Sequence, residues 1–260
     1  MLEGIGSLAA YNVIQRQGAE LTQKFTSSKL VQKDLTDFQT RMAKITTPEE
    51  LLKDRKALEF VLSSYQLDSE SWKTGLLKKL MTEDPNDSKS MAARLADPRF
   101  AQFAKDFSNW TTQPSKNAEL MTKVMNNAMT VRFEREQGDG NPGLQEALYF
   151  LRNIKSVETV PQLMADKALL YVTRIGLGMP DSYTQLPFDS QLKLMKERVD
   201  LDKLKDPDEQ QKFVKRFLIS VGGDQASGSV NSAASAALTI LGGGGGSLTS
   251  LLGQKINLHV

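Results

Sequence analysis

Cysteine is absent from the 260 residues, and histidine occurs once, at His259. These gaps exclude disulfides, thiol nucleophiles and thiolate metal sites. A Ser-His-Asp triad or a zinc centre would have to use that one histidine. Charge of one sign is missing as well. The 33 basic and 31 acidic side chains leave a formal +2, which gives no footprint for nucleic acid. No apolar run approaches the roughly 20 residues that span a bilayer. The opening residues, MLEGIGSLAAYNVIQRQ, carry neither a basic leader nor a continuous apolar stretch, so they do not read as a cleaved secretory signal. The expectation is a cytoplasmic chain, or one exported by a route that needs no cleaved signal.

What the chain does have is helical periodicity. The clearest stretch is 46–67, TTPEELLKDRKALEFVLSSYQL, with Thr47 as N-cap, Pro48 in the first helical position and Glu50 three residues after the cap. Leu51, Leu52, Leu58, Val61, Leu62 and Tyr65 follow at helical spacing, so the stretch reads as one well-capped helix. Leu8, Tyr11, Ile14, Leu21 and Phe25 mark a thin amphipathic stripe interrupted by Gly18, marginal on its own. Val31, Leu35, Phe38, Met42 and Ile45 form a narrow seam. Asp68-Ser69-Glu70 starts a short helix carrying Trp72, Leu76, Leu77 and Leu80. Asp97-Pro98 opens another, burying Phe100, Phe103 and Phe107.

The pattern then recurs. A worn copy of 46–67 appears at 159–177, where Leu163-Met164-Ala165-Asp166 echoes Leu51-Leu52-Lys53-Asp54. Each copy is followed by a loop, a short amphipathic helix, an Asp-Pro start (Asp97-Pro98, Asp206-Pro207) and Phe-x-x-x-Phe (Phe103 to Phe107, Phe213 to Phe217). The fold class is therefore all-α, a multi-helix globular protein of two related halves. The organisation read from the sequence is an amphipathic segment at 1–29, helical halves at 30–137 and 138–221, and a tail at 222–260. The glycine-rich loop at 138–143 is the clearest break. The tail is apolar and rich in Gly, Ser and Ala. From 222 to 254 only Asp224 is charged, around Leu238, Ile240, Leu241, Leu248, Leu251 and Leu252.

Little of this carries chemistry. The glycine run at 242–246 lacks the Lys and the preceding strand of a phosphate-binding loop. Glu49 with Glu50, and Asp84 with Asp87, sit at helix starts or turns, where acids serve capping and the helix dipole. Asp54-Arg55 and Asp166-Lys167, inside apolar stretches, read as groups that pair or cap in the core. Lys215-Arg216 reads as the solvated face of an amphipathic helix. No catalytic, cofactor-binding or metal-ligating residue is assigned.

The motifs together resemble the alphaproteobacterial family catalogued as domain of unknown function 1217, over roughly residues 8–218. The carriers include Leu51-Leu52-x-Asp54-Arg55, Arg94-Leu95-Ala96-Asp97-Pro98-Arg99-Phe100, Asp166-Lys167-x-Leu169, Leu186-Pro187-x-Asp189-x-Gln191 and Phe213-x-x-Arg216-Phe217. The resemblance implies no known enzymatic activity, and it implies a flagellar setting, because members often lie among flagellar genes. The expected function is a non-enzymatic structural or interaction protein of the bacterial flagellum, exported without a cleaved signal. Its partners would be other flagellar proteins or copies of itself. The expected contact residues are Leu8, Tyr11, Ile14, Leu21, Phe25, Leu238, Ile240, Leu241, Leu248, Leu251 and Leu252, on termini that order on assembly. The alternative is a cytoplasmic adaptor or export chaperone. The missing Ala-Asn-Asn type signature of rod and hook proteins argues against a standard axial subunit.

Overall fold

Short polar side chains stop and restart many of the helices among the described residues. Thr47, Asp97, Asn117, Thr159 and Asp200 each accept a hydrogen bond from a backbone amide of the helix that follows. Each thereby satisfies a donor that a helix start leaves open. The computed structural model describes residues 2–226, and every regular element among them is helical. The order is α1 (Ser7–Thr26), α2 (Lys29–Met42), α3 (Pro48–Lys53), α4 (Arg55–Ser64), α5 (Thr74–Thr82), α6 (Met91–Arg94) and α7 (Pro98–Phe107). Then come α8 (Ala118–Gly138), α9 (Leu144–Asn153), α10 (Val160–Ala165), α11 (Lys167–Gly176), α12 (Phe188–Arg198), α13 (Leu201–Lys205) and α14 (Pro207–Ala226).

α1–α7 and α8–α14 pass through one order of elements. The leading helices have 20 and 21 residues, α3 and α10 have six each, and α4 and α11 have ten each. The stretch 46–67 is not one helix, as the sequence suggested, but two. Asp54 leaves helical geometry at φ −83°, ψ 90°, and its carboxylate accepts from the Ala57 amide at 3.1 Å. Asp166 does the same at φ −88°, ψ 112°, accepting from the amides of Ala168 and Leu169. A short carboxylate beside the backbone competes with the helix ladder and restarts it one residue on. Each corner is then pinned from the second helix of its own pass, by Arg41 on Asp54 and by Tyr149 on Asp166.

The second helix of each corner also ends alike. The Leu67 amide returns to the Leu62 carbonyl and the Met179 amide to the Arg174 carbonyl, a Schellman closure around one left-handed residue. In the second pass that residue is Gly178 at φ 65°, but in the first it is Gln66 at φ 55°. A side chain there costs roughly 1–2 kcal/mol that glycine does not incur.

Buried apolar side chains fall into two clusters. One runs from Phe25 through Phe38, Val61, Leu77 and Phe107 to Phe133, with much of its wall supplied by α8. The other gathers Phe150, Leu169, Val172, Phe213 and Phe217, and its missing side is filled by Ala10, Tyr11 and Ile14 of α1. Each core thus takes in the leading helix of the other pass. The terminal stripe is consequently not a free segment awaiting a partner. Tyr11 and Ile14 are buried in the second core and Phe25 in the first, edge-on to Phe133 at 5.8 Å, while half-buried Leu21 packs against both clusters. Leu8 is half-buried on the same helix. Tertiary packing supplies the stability that the stripe lacks in isolation. The Ser7 hydroxyl donates to the Pro142 carbonyl at 2.7 Å, and the Asn141 amide donates to the Leu2 carbonyl at 2.7 Å, tying the segment to the loop after α8. The segment 1–29 therefore belongs to the helical body and is not a separate unit. The expected tail contacts (Leu238, Ile240, Leu241, Leu248, Leu251, Leu252) lie outside the described residues.

Candidate functional site

Two features stand out once the passes are assembled: a polar clasp between them and a pair of exposed apolar loops. The clasp is built on Arg99, in the first turn of α7. Asp97 caps that helix through the Arg99 amide at 3.0 Å, and its carboxylate also holds the Arg99 guanidinium at 2.6 Å. Another guanidinium nitrogen donates to the Gln66 carbonyl at 2.9 Å, so the strained left-handed residue presents its oxygen to Arg99. Arg99 Nε also lies 3.7 Å from the carboxylate of Asp166 in the second pass. There the buried Tyr149 hydroxyl donates to Asp166. Beside them Arg152 forks onto the buried Glu134 at 2.8 and 2.9 Å.

Gln66, Arg99, Tyr149, Arg152 and Asp166 line a cleft of about 410 Å³. Burial opposes the charge on Arg99, but the hydrogen bonds from Asp97 and the field of Asp166 outweigh it and hold its pKa above the ordinary value. Burial, then the neighbouring Asp166 charge, raises the Tyr149 phenol well above its usual range. A phenol held protonated is a poor base at neutral pH, and a guanidinium held by Asp97 and a carbonyl, with Asp166 beside it, is occupied. The arrangement is that of a fastener. A second node joins α4, α7 and α8, where Asp106 receives the Tyr65 hydroxyl at 2.7 Å and Lys123 at 2.5 Å. Among the described residues, no group of three His, Asp or Glu side chains stands ready for a metal ion.

The exposed loops are the other feature. Trp72 is 74% exposed and Phe188 61% exposed, with Leu186 also at the surface. Trp72 lies two residues before the start of α5, and Leu186 two residues before the start of α12, its counterpart in the second pass. The short helix expected to carry Trp72 instead starts at Thr74, and the indole projects beside Lys73.

Residues 64–209 match the model of a family described as "Protein of unknown function (DUF1217)". The chain belongs to the DUF1217 family. The matched region starts at the end of α4 and stops within α14, so it contains Gln66, Trp72, Arg99, Tyr149, Asp166, Leu186 and Phe188. The fold recurs in a crystal structure of protein AGR_C_984 from Agrobacterium tumefaciens, with a TM-score of 0.71 and 22% identity. The alignment covers 82% of this chain and 92% of that one. The alphaproteobacterial DUF1217 resemblance carried by the sequence motifs is thus correct. No curated protein matches the chain.

Neither the clasp nor the loops were assigned a role from the sequence. The sequence marks Asp166 as a residue that pairs or caps, but it does not mark the partners Arg99 and Tyr149. Arg99 appeared only as part of a family motif, and nothing local signals that its side chain reaches across to the second pass. Trp72 is hidden in the sequence because its spacing to Leu76 and Leu80 imitates an apolar stripe.

Proposed function

We propose that this protein is a non-enzymatic structural or interaction protein of the bacterial flagellum, and that it contacts its partners through the loops carrying Trp72 and Leu186-Phe188. The observation that carries this reading is the exposure of large apolar side chains at matching places in both passes. A single exposed apolar residue is ordinary, but Trp is enriched among residues that dominate binding energy. A protein with two similar contact points can also engage two copies of a partner, or bridge two subunits, with gain in avidity. The flagellar setting comes from the family resemblance, through the genes among which relatives often lie. Other flagellar proteins, or further copies of this chain, are the partners proposed. Among the described residues no helix is long and apolar enough to cross a membrane.

The test is fractionation of motile cells expressing the wild-type chain or a Trp72→Ala/Phe188→Ala variant. The wild type is expected to copurify with hook-basal bodies or filaments. The variant should lose that association while its circular dichroism and melting temperature stay unchanged, because both side chains are exposed. Finding the wild type only in the cytosol of motile cells, or unchanged association of the variant, would refute the reading.

A further inference from the structure

The Lys215-Arg216 pair, which the sequence presents as a solvated face, is half-buried in the fold. Arg216 is half-buried, and its Nε is buried without a hydrogen-bond partner among the described residues. The guanidinium carbon lies 5.5 Å from the centroid of the Phe213 ring. That ring is itself immobilised, stacked on Phe150 at 5.4 Å and seated over Gly176, where a Cβ would come within 2.5 Å of it. Arg216 is therefore a preorganised cation with an unused donor.

The space in front of it is a pocket of about 110 Å³ between the end of α11, the α12–α13 junction and α14. Leu177, Val199, Leu204 and Phe213 form its apolar walls, and Arg198 and Lys203 bring further positive charge. Two carboxylates also border it, and both are committed. Asp200 caps α13 through the Lys203 amide at 3.1 Å and lies 3.7 Å from the Lys203 ammonium, while Glu209 pairs with Lys212 at 2.8 Å. No ion pair engages Arg198 or Arg216 among the described residues. What remains is an arginine fork over a small apolar pocket, with a second arginine at its mouth.

We infer that this pocket binds a small aliphatic carboxylate, with the carboxylate on the Arg216 guanidinium and the alkyl group against Leu177, Val199 and Leu204. An unpartnered buried guanidinium donor is costly until an acceptor meets it, and a carboxylate matches its fork. The volume corresponds to about three or four waters at roughly 30 Å³ each, which suits an acid of a few carbons. The rim carboxylates Asp200 and Glu209 favour a monoanion over a dianion such as phosphate. This site is independent of the loops around Trp72 and Phe188.

The test uses the full chain labelled with ¹⁵N and follows the arginine Nε–H signals during titration with sodium butyrate, with ionic strength matched by sodium chloride. One signal, assigned to Arg216 by its absence in Arg216→Lys, is expected to shift saturably with butyrate and not with sodium chloride or butyramide. Arg198→Ala, a change at an exposed residue, is expected to weaken binding about threefold or more. Inorganic phosphate is expected to bind more weakly than butyrate. The inference is overturned by the absence of a saturable shift, by equal shifts with butyramide or chloride, by phosphate binding as tightly as butyrate, or by unaltered affinity in Arg198→Ala.

Discussion

The two passes place the same carboxylate at the same corner in different surroundings, which makes a paired substitution informative. Asp166→Ala removes the cap of α11, a loss of about 1 kcal/mol. It also strands the buried Tyr149 hydroxyl, at about 1–3 kcal/mol, and takes from Arg99 the carboxylate that joins the passes. Arg99 keeps Asp97, so its own loss is small. The expected total is roughly 2–4 kcal/mol. Asp54→Ala removes an equivalent cap, but its partner Arg41 is partly exposed and retains Asp37 at 2.9 Å. That loss should be about 1–2 kcal/mol. Urea unfolding followed by circular dichroism at pH 7, with an unchanged m-value, measures both. A double-mutant cycle sharpens the argument. Tyr149→Phe should destabilise the wild type, yet be neutral or stabilising in the Asp166→Ala background, where the hydroxyl has already lost its acceptor. Equal losses for the two aspartates, or an additive cycle, would refute the role of Asp166 as the centre of the clasp.

Three further outcomes come from buried phenols and from backbone strain. Burial, reinforced by Asp106 and Asp166 respectively, raises the phenols of Tyr65 and Tyr149 above the value of about 10 for the unfolded chain. Their contribution is therefore complete below about pH 10 and declines above it, as the unfolded chain ionises while the folded one does not. Unfolding free energies measured between pH 8 and 11 should show this fall, and a Tyr65→Phe/Tyr149→Phe variant should flatten it; an equally steep fall in the variant would contradict the assignment. Tyr11→Ala should cost about 3–5 kcal/mol by emptying a core position, and Tyr11→Phe should be neutral or stabilising by about 1 kcal/mol, since its buried hydroxyl has no partner among the described residues. A terminus that merely waits for a partner would give little change for Tyr11→Ala. Gln66→Gly should stabilise by up to about 1 kcal/mol, by relieving the positive φ while keeping the carbonyl for Arg99. A loss on urea unfolding would show that the Gln66 side chain contributes more than its backbone strain costs.

What was legible in the sequence is what is decided locally. Thr47, Thr159 and the Asp97-Pro98 start act within one helical turn, so their residue types announce them. The duplicated order was readable for the same reason, since it is a series of local signals repeated. Asp54 and Asp166 show where local reading fails. Both read as groups that pair or cap, yet within a continuing helix, and only the backbone shows that each carboxylate ends one helix and caps the next. Gln66 hides its left-handed turn because glycine, the usual mark of such a turn, is present only at Gly178. Arg99 reaches Gln66 across 33 positions and Asp166 across a still longer stretch, and no periodicity reports a contact of that kind. The weak stripe of α1 is the most instructive case. It looked unable to stand alone, and it does not stand alone, because it closes the core of the second pass while α8 lines the first. Once the leading helices are exchanged in this way, neither pass has a complete core without the other. The clasp at Arg99 then fastens two passes that are already interlocked. Surfaces for a partner must consequently be sought among side chains that neither core absorbs, which is why Trp72, Phe188 and the guanidinium of Arg216 carry the functional proposals and the N-terminal stripe does not.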